Sequence, residues 1–311
     1  MLDPHFQALF EAQAAAMDPE APPLEQLPVE VVREWYRGER TAQNQNTTPA
    51  DVATIDLKIA GPHGDIPARL YTPADAHAPG PCLVYFHGGG WVIGDLVTHD
   101  AHCRRLAAYG GVRILAVDYR LAPEHPFPAP YDDCLAATQW AFDHGATVGI
   151  DPARIGVGGC SAGGNLAASV AIDLRNDPKR RLKFQLLLYP ALTPAEPTAS
   201  RRELDGPVLT FGAMRWFEET LAAEGHPQFH RAAPAQEADL TGLPGALVVT
   251  AGYDMLKDEG RDFADRLKRA GVPVDYRHYP TMAHDFLSQG DVSPAVIDAA
   301  RDTAAAVKAA L

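Results

Sequence analysis

Apolar residues recur at helical spacing in two stretches near the start of the chain, QALFEAQAAAM and VEVVREWYRG, on either side of the proline-rich PEAPPLEQLP. From about Ala53 the period changes. VATIDLKIAG and DIPARLYTP alternate apolar and polar positions, which predicts an antiparallel pair at a sheet edge. CLVYFHG and VRILAVDY are nearly continuous apolar runs, the pattern of strands buried on both faces. Between them, HDAHCRRLAAYG reads as a helix that stops at Gly110. Then follow DDCLAATQWAFDHG as helix, RIGVGG as strand, SAGGNLAASVAIDLRN as helix, and FQLLLYP and ALVVTAG as strands. DEGRDFADRLKRAG is the next helix, VDYRHYP the last strand and SPAVIDAARDTAAAVKAAL the last helix. Repeated units of this kind predict an α/β architecture, a mostly parallel sheet with helices on both faces.

The rhythm breaks between residues 192 and 240, where no core strand is evident and GPVLTFGAMRWFEETLAAEG reads as a helix rich in large apolar residues. Spacing of three places Phe211, Met214 and Phe217 along one face, and with Leu209 they form a candidate pocket wall. The expected organisation is N-terminal cap helices over residues 1–50 and a catalytic domain over 51–311. A cap insertion at about 195–235 folds over the carboxyl edge of the sheet.

Charge narrows the partners. Asp+Glu 40 against Lys+Arg 27 gives a net charge of -13. This disfavours nucleic acid, where a basic face supplies most of the affinity, and anionic membrane surfaces. A small neutral substrate is unconstrained by it. The N-terminal segment carries acids and lacks a basic stretch followed by a long apolar run. No segment approaches the apolar length of a membrane span, so cytoplasmic residence is expected. Cys82, Cys103, Cys134 and Cys160 form no CxxC pair and match no zinc spacing; buried free thiols are expected. A homo-oligomer is left open.

The strongest local chemical signal is Gly159-Cys160-Ser161-Ala162-Gly163, a G-x-S-x-G pattern between the strand RIGVGG and the helix that follows it. The outer glycines permit a sharp turn that lifts the Ser161 hydroxyl clear of the sheet. The helix N-terminus behind it offers N–H donors to developing negative charge. Cys160 is the stronger nucleophile by chemistry, but its register would place Ala162 where an elbow needs glycine. Upstream, VYFHGGGWVIG places three glycines after a strand, so backbone N–H groups can face a concavity without obstruction. A phosphate cradle would instead show G-x-x-x-x-G-K-[ST] or G-x-G-x-x-G.

A serine nucleophile needs a base, and the base an orienting acid. Asp254 follows the buried strand ALVVTAG, and His284 lies past the next strand, so the chain order is Ser161, Asp254, His284. Asp285 adjoins His284, but neighbouring side chains in a loop rarely point together, and Asp254 is preferred. His99 and His102 have helical metal-pair spacing without an evident third ligand. Asp258, Glu259, Asp132 and Asp133 read as first-turn helix charges.

Taken in order, His87-Gly88-Gly89-Gly90, VDYRLAPEHPFPAPYDD, GCSAGGNLA, LLLYP, YDMLKDEG and HDF resemble the hormone-sensitive-lipase-like family of α/β-hydrolase carboxylesterases. The resemblance implies an α/β-hydrolase fold, with eight mainly parallel strands and a helical cap. It implies Ser161, Asp254 and His284 as triad, and the amides of Gly89, Gly90 and Ala162 as oxyanion donors. His87 would support the glycine loop. The implied activity is cofactor-free, metal-free hydrolysis of short- to medium-chain carboxylic esters. Two positions depart from the pattern: Cys160 stands where the largest subgroup has Asp, and Asp285 where glycine is usual.

Overall fold

The structure is a computed structural model, described at residues 1–16, 18, 21–45, 51–193 and 195–311. Met17, Pro19, Glu20 and Pro194 lie outside the described residues, as do positions 46–50 at the expected end of the N-terminal segment. Two helices come first, α1 (Pro4–Ala16) and α2 (Val29–Asn44). The first sheet hairpin is β1 (Val52–Gly61) and β2 (Gly64–Pro73). Next are β3 (Gly80–Phe86), α3 (Asp100–Gly110), β4 (Arg113–Val117), α4 (Ala129–His144), β5 (Ile150–Cys160), α5 (Ala162–Leu174) and β6 (Phe184–Leu188). The segment between β6 and β7 carries α6 (Ala199–Glu203) and α7 (Phe211–Leu221). β7 (Gly245–Tyr253), α8 (Lys257–Arg269), β8 (Val274–Ala283) and α9 (Pro294–Ala310) complete the chain.

The sheet has eight strands in the order β1-β2-β4-β3-β5-β6-β7-β8. β2 is antiparallel to both β1 and β4, and every pair from β4/β3 onward is parallel. The apolar runs bury two faces by strand alternation. Leu83, Tyr85, Ile114, Leu186 and Val249 share one core with Cys103 and Leu106 of α3 and Val296 and Val307 of α9. Val84, Phe86, Leu115, Val157 and Val248 share the other with Ala137 of α4, Leu166 of α5 and Phe263 of α8. α3 ends where sequence expects, because Gly111 takes a left-handed φ of 62° and its N–H bonds back to Ala107.

This topology creates the crevice. From β3 the chain crosses to β4 on one side, whereas from β5 it crosses to β6 on the other. The loops leaving these neighbouring parallel strands therefore diverge, and the opening between their carboxyl ends is the natural ligand position of such a sheet.

Buried charge ties the β6–β7 segment down. Glu259 and Asp133 are helix first-turn residues or close to it, but solvation is not their environment. Glu259 is buried, accepts from Leu192 N at 2.6 Å and pairs with Arg201 of α6. Asp133 is buried and takes two hydrogen bonds from the Arg120 guanidinium, both at 2.8 Å. Arg231 joins Asp132 of α4 at 2.7 Å and Asp173 of α5 at 3.0 Å. Among the described residues, no helix is long and apolar enough to cross a membrane.

Candidate active site

The turn from β5 into α5 has room only for glycine at its flanks. A Cβ on Gly163 would lie 2.0 Å from the Phe86 carbonyl oxygen, and one on Gly159 would lie 2.3 Å from the Gly163 oxygen. Between them Ser161 adopts φ 55° and ψ -119°, outside the favoured regions for an L-residue. Such a conformation costs on the order of 1–3 kcal/mol and persists where surroundings hold it. Here Ser161 N donates to Leu188 O at 2.9 Å, and Ser161 O accepts from Asn165 N at 3.1 Å and Ala191 N at 3.2 Å. Asn165 is itself buried, donating to Ala232 O at 2.9 Å and accepting from Tyr131 at 2.7 Å.

The structure brings His284 and Asp254 to this serine. His284 Nε2 is 3.0 Å from Ser161 Oγ, and His284 Nδ1 is 2.8 Å from Asp254 Oδ2. The second Asp254 oxygen accepts from Leu256 N at 2.9 Å. The aspartate fixes the ring with Nδ1 protonated and Nε2 free to accept the serine proton. The two loops meet because β7 and β8 approach closely at their ends: a Cβ on Gly252 would fall 2.1 Å from Pro280 O. β8 therefore runs on to Ala283, beyond the VDYRHYP of the sequence expectation.

Burial disfavours a charged His284, but the Asp254 charge and hydrogen bond together outweigh it, so its pKa is raised above the ordinary 6.5. A general base must be neutral to accept a proton. For a neutral ester, kcat/KM is therefore expected to climb with pH on a limb centred above 6.5, and to fall away as pH drops through it. A limb centred at or below 6.5 would contradict this electrostatic balance.

The glycine loop lies directly beside the serine. A Cβ on Gly88 would lie 3.5 Å from Ser161 Cβ. Gly89 and Gly90 have positive φ of 116° and 58°. Side chains there would strike Ile93 O at 2.2 Å and the Phe217 ring at 2.1 Å. Gly88 N is spent on His99 Nε2 at 3.3 Å. Among the described residues, the amides of Gly89, Gly90 and Ala162 donate to no protein acceptor. His87 is stacked on Tyr119 at 4.2 Å and donates Nδ1–H to Gly88 O at 2.7 Å; burial lowers its pKa to about 4. It braces the loop as a neutral ring.

The competing residues are occupied elsewhere. Cys160 points away from the turn, its Sγ 3.6 Å from His99 Nε2, and burial pushes its thiol up to about 12. His99 and His102 serve the loops, the latter with Nδ1 3.1 Å from Leu287 O. Asp285 binds Arg40 of α2, a partner no local pattern announced. The four residues of the candidate pocket wall differ in burial. Leu209, Met214 and Phe217 are buried, but Phe211 is 41% exposed. At about 100° per residue, the buried stripe Ala213, Met214, Phe217 and Leu221 has its centre roughly 100° around the helix from Phe211. Three-residue spacing from Met214 alone does not reveal this offset.

A serine–histidine–aspartate arrangement at the carboxyl edge of a mostly parallel sheet is the geometry of the α/β-hydrolase class of proteins. A family profile for the alpha/beta hydrolase fold matches residues 83–288, and the chain belongs to that family, among its hormone-sensitive-lipase-like carboxylesterases. It is 40% identical over 256 residues to esterase LipI of Mycobacterium tuberculosis, covering 80% of this chain and 79% of that protein. Over 282 residues it is 40% identical to carboxylesterase NlhH of the same organism, covering 88% of each. The solved ester-hydrolase EH1AB1 from the metagenome of Lake Arreo, complexed with a bipyridine phosphonate derivative, is 39% identical. It superposes with a TM-score of 0.94 over 99% of both chains.

Proposed function

We propose that this protein is a serine carboxylic ester hydrolase for esters with short to medium acyl chains. The observation that carries the proposal is the Ser161–His284–Asp254 relay, at 3.0 and 2.8 Å, set beside the glycine loop. Ser161 Oγ attacks the ester carbonyl carbon while its proton passes to His284 Nε2. The Gly89, Gly90 and Ala162 amides receive the oxyanion. The carbon–alkoxy bond breaks, the alkoxide takes the proton from His284, and the acyl group stays on Ser161. Water then attacks, giving its proton to His284. Collapse of the second intermediate releases the carboxylic acid and restores the Ser161 hydroxyl. These steps need no metal or organic cofactor.

The N-terminal helices and the insertion are proposed to cap this site. The Glu25 carboxylate packs against Gly212 at the start of α7, so both segments meet. Phe217 lies against Gly90, and Met214 of the same helix is buried, which supports an apolar wall at the oxyanion loop. Each acyl methylene buried against such a wall contributes about 0.8 kcal/mol until the space is filled, after which added length meets steric cost. Across a series of acyl p-nitrophenyl esters, kcat/KM is expected to peak at about two to eight acyl carbons and to be poor on long chains. An optimum beyond about twelve carbons would reject the small capped pocket, and absence of hydrolysis across the series would reject the esterase reading.

A further inference from the structure

We propose that helix α2 is a positioning element of the active site, whose Arg33 and Arg40 clamp the oxyanion loop and the histidine loop in fixed relation to each other. The proposal rests on the esterase reading and extends the site to a helix far from it in sequence. Arg33 and Arg40 are two helical turns apart, so they share a face and stand about 10 Å apart along the axis.

Arg33 reaches the oxyanion side. Its Nε donates to Val92 O at 2.8 Å and its Nη2 to Ala122 O at 2.9 Å, while Glu124 takes its Nη1 at 2.7 Å. Val92 N and Ile93 N both donate to Gly89 O, at 3.1 and 2.9 Å, and Ala122 N donates to Trp91 O at 3.0 Å. Holding the Val92 and Ala122 carbonyls therefore holds the turn that aims Gly89 and Gly90.

Arg40 reaches the base side. Its Nη1 donates to Ser288 O at 2.9 Å and its Nη2 to Asp285 Oδ2. The other Asp285 oxygen accepts from Tyr189 at 3.4 Å, and the Tyr189 ring packs edge-on to His284 at 5.3 Å. Asp285 follows His284 directly and has φ 61°, ψ 21°, a left-handed conformation that aspartate adopts more readily than most side-chain-bearing residues. The guanidinium anchors the Asp285 carboxylate, with Arg40 4% and Asp285 7% exposed. Because both are buried, removing one leaves the other's charge uncompensated. The pair touches the catalytic base in two ways, through the peptide chain and through Tyr189.

Both charges of the pair lie within the field of His284, so removing one shifts its titration, whereas a loss of kcat that survives when both charges are removed reports positioning. The groups facing His284 are Asp254 after β7, Ser161 at the elbow, Tyr189 after β6, Asp285 in its own loop and Arg40 from α2. Around the pair itself lie Tyr36 of α2, with Arg40 5.0 Å above its ring, Cys160, and neutral His99 and His102 at the start of α3.

Asp285→Asn leaves a guanidinium that cannot shed its charge beside His284. The acid limb of kcat/KM is expected to move to lower pH by at least about half a unit, with kcat down about tenfold and KM within about twofold. In Arg40→Met/Asp285→Asn, with no charge left in the pair, the limb is expected back at its wild-type position while kcat stays low. Arg33→Met is expected to lower kcat without moving the limb. The same limb is followed by NMR titration of the His284 imidazole, which reads the clamp without any turnover and keeps the double variant informative. Either kcat within twofold of wild type in Arg40→Met/Asp285→Asn and Arg33→Met, or an unmoved imidazole titration in Asp285→Asn, overturns the clamp. Failure of wild-type protein to hydrolyse any ester or to accept an organophosphonate at Ser161 would count against the esterase reading alone.

Discussion

Ser161→Ala is expected to lower kcat by on the order of 10⁶-fold while the protein stays folded, leaving the residual rate that an oxyanion hole and binding alone provide. The loss is this large because, in the proposed mechanism, the serine oxygen forms the covalent bond to the acyl carbon. Cys160, its neighbour, is buried with its sulfur turned toward His99 and its thiol pushed up to about 12, so almost no thiolate exists at neutral pH. Cys160→Ala is therefore expected to keep turnover within a few-fold of wild type. An organophosphonate ester provides a second readout: it should add covalently to wild-type protein and to Cys160→Ala, but not to Ser161→Ala. Mass mapping of the adduct to Cys160, or turnover surviving in Ser161→Ala, would sink the assignment. Circular dichroism on each variant separates lost chemistry from lost fold.

Asp254→Asn is expected to cost about 10²–10⁴-fold in kcat with the fold retained. The carboxylate accepts the Nδ1 proton of His284 at 2.8 Å and supplies the charge that raises its pKa against burial. An amide of the same shape can present N–H to Nδ1. That favours the opposite tautomer, with Nε2 protonated, and a protonated Nε2 cannot take the serine proton. Asp285 offers the control within the same loop. Although adjacent to His284, it spends its charge on Arg40, so Asp285→Asn should lose about tenfold, through position and field rather than tautomer. Equal losses in the two variants, at intact folding, would show that the orienting acid had been assigned wrongly.

The sheet, its two covered faces and the order of strands and helices were legible in the chain, because they follow from interactions over a few residues. Alternation marks β2, where Ile66, Ala68 and Leu70 are buried on one face, and continuous apolar runs mark β3 and β4, buried on both; β1 carries the alternation with only Val52 and Ile59 buried and Ile55 exposed. The Ser161 turn was legible for the same reason: the two flanking glycines meet backbone atoms at 2.0 and 2.3 Å, a steric demand that falls on a pentapeptide. Asp254 and His284 could be placed because each follows a readable strand.

Tertiary structure decided what depends on which distant groups meet. Glu259 reads as a solvated helix charge in sequence, and only the approach of α6 makes it a buried partner of Arg201. Three-residue spacing groups Phe211 with Met214 and Phe217, yet Phe211 is exposed while those two are buried, since orientation is set by the whole stripe against its neighbour. The Arg40–Asp285 pair joins residues 245 positions apart. An arginine on an amphipathic helix carries the same local pattern whether its charge faces water or a buried carboxylate. Local sequence encodes backbone conformation through short-range sterics, whereas the partner of a charge is chosen when the chain closes on itself.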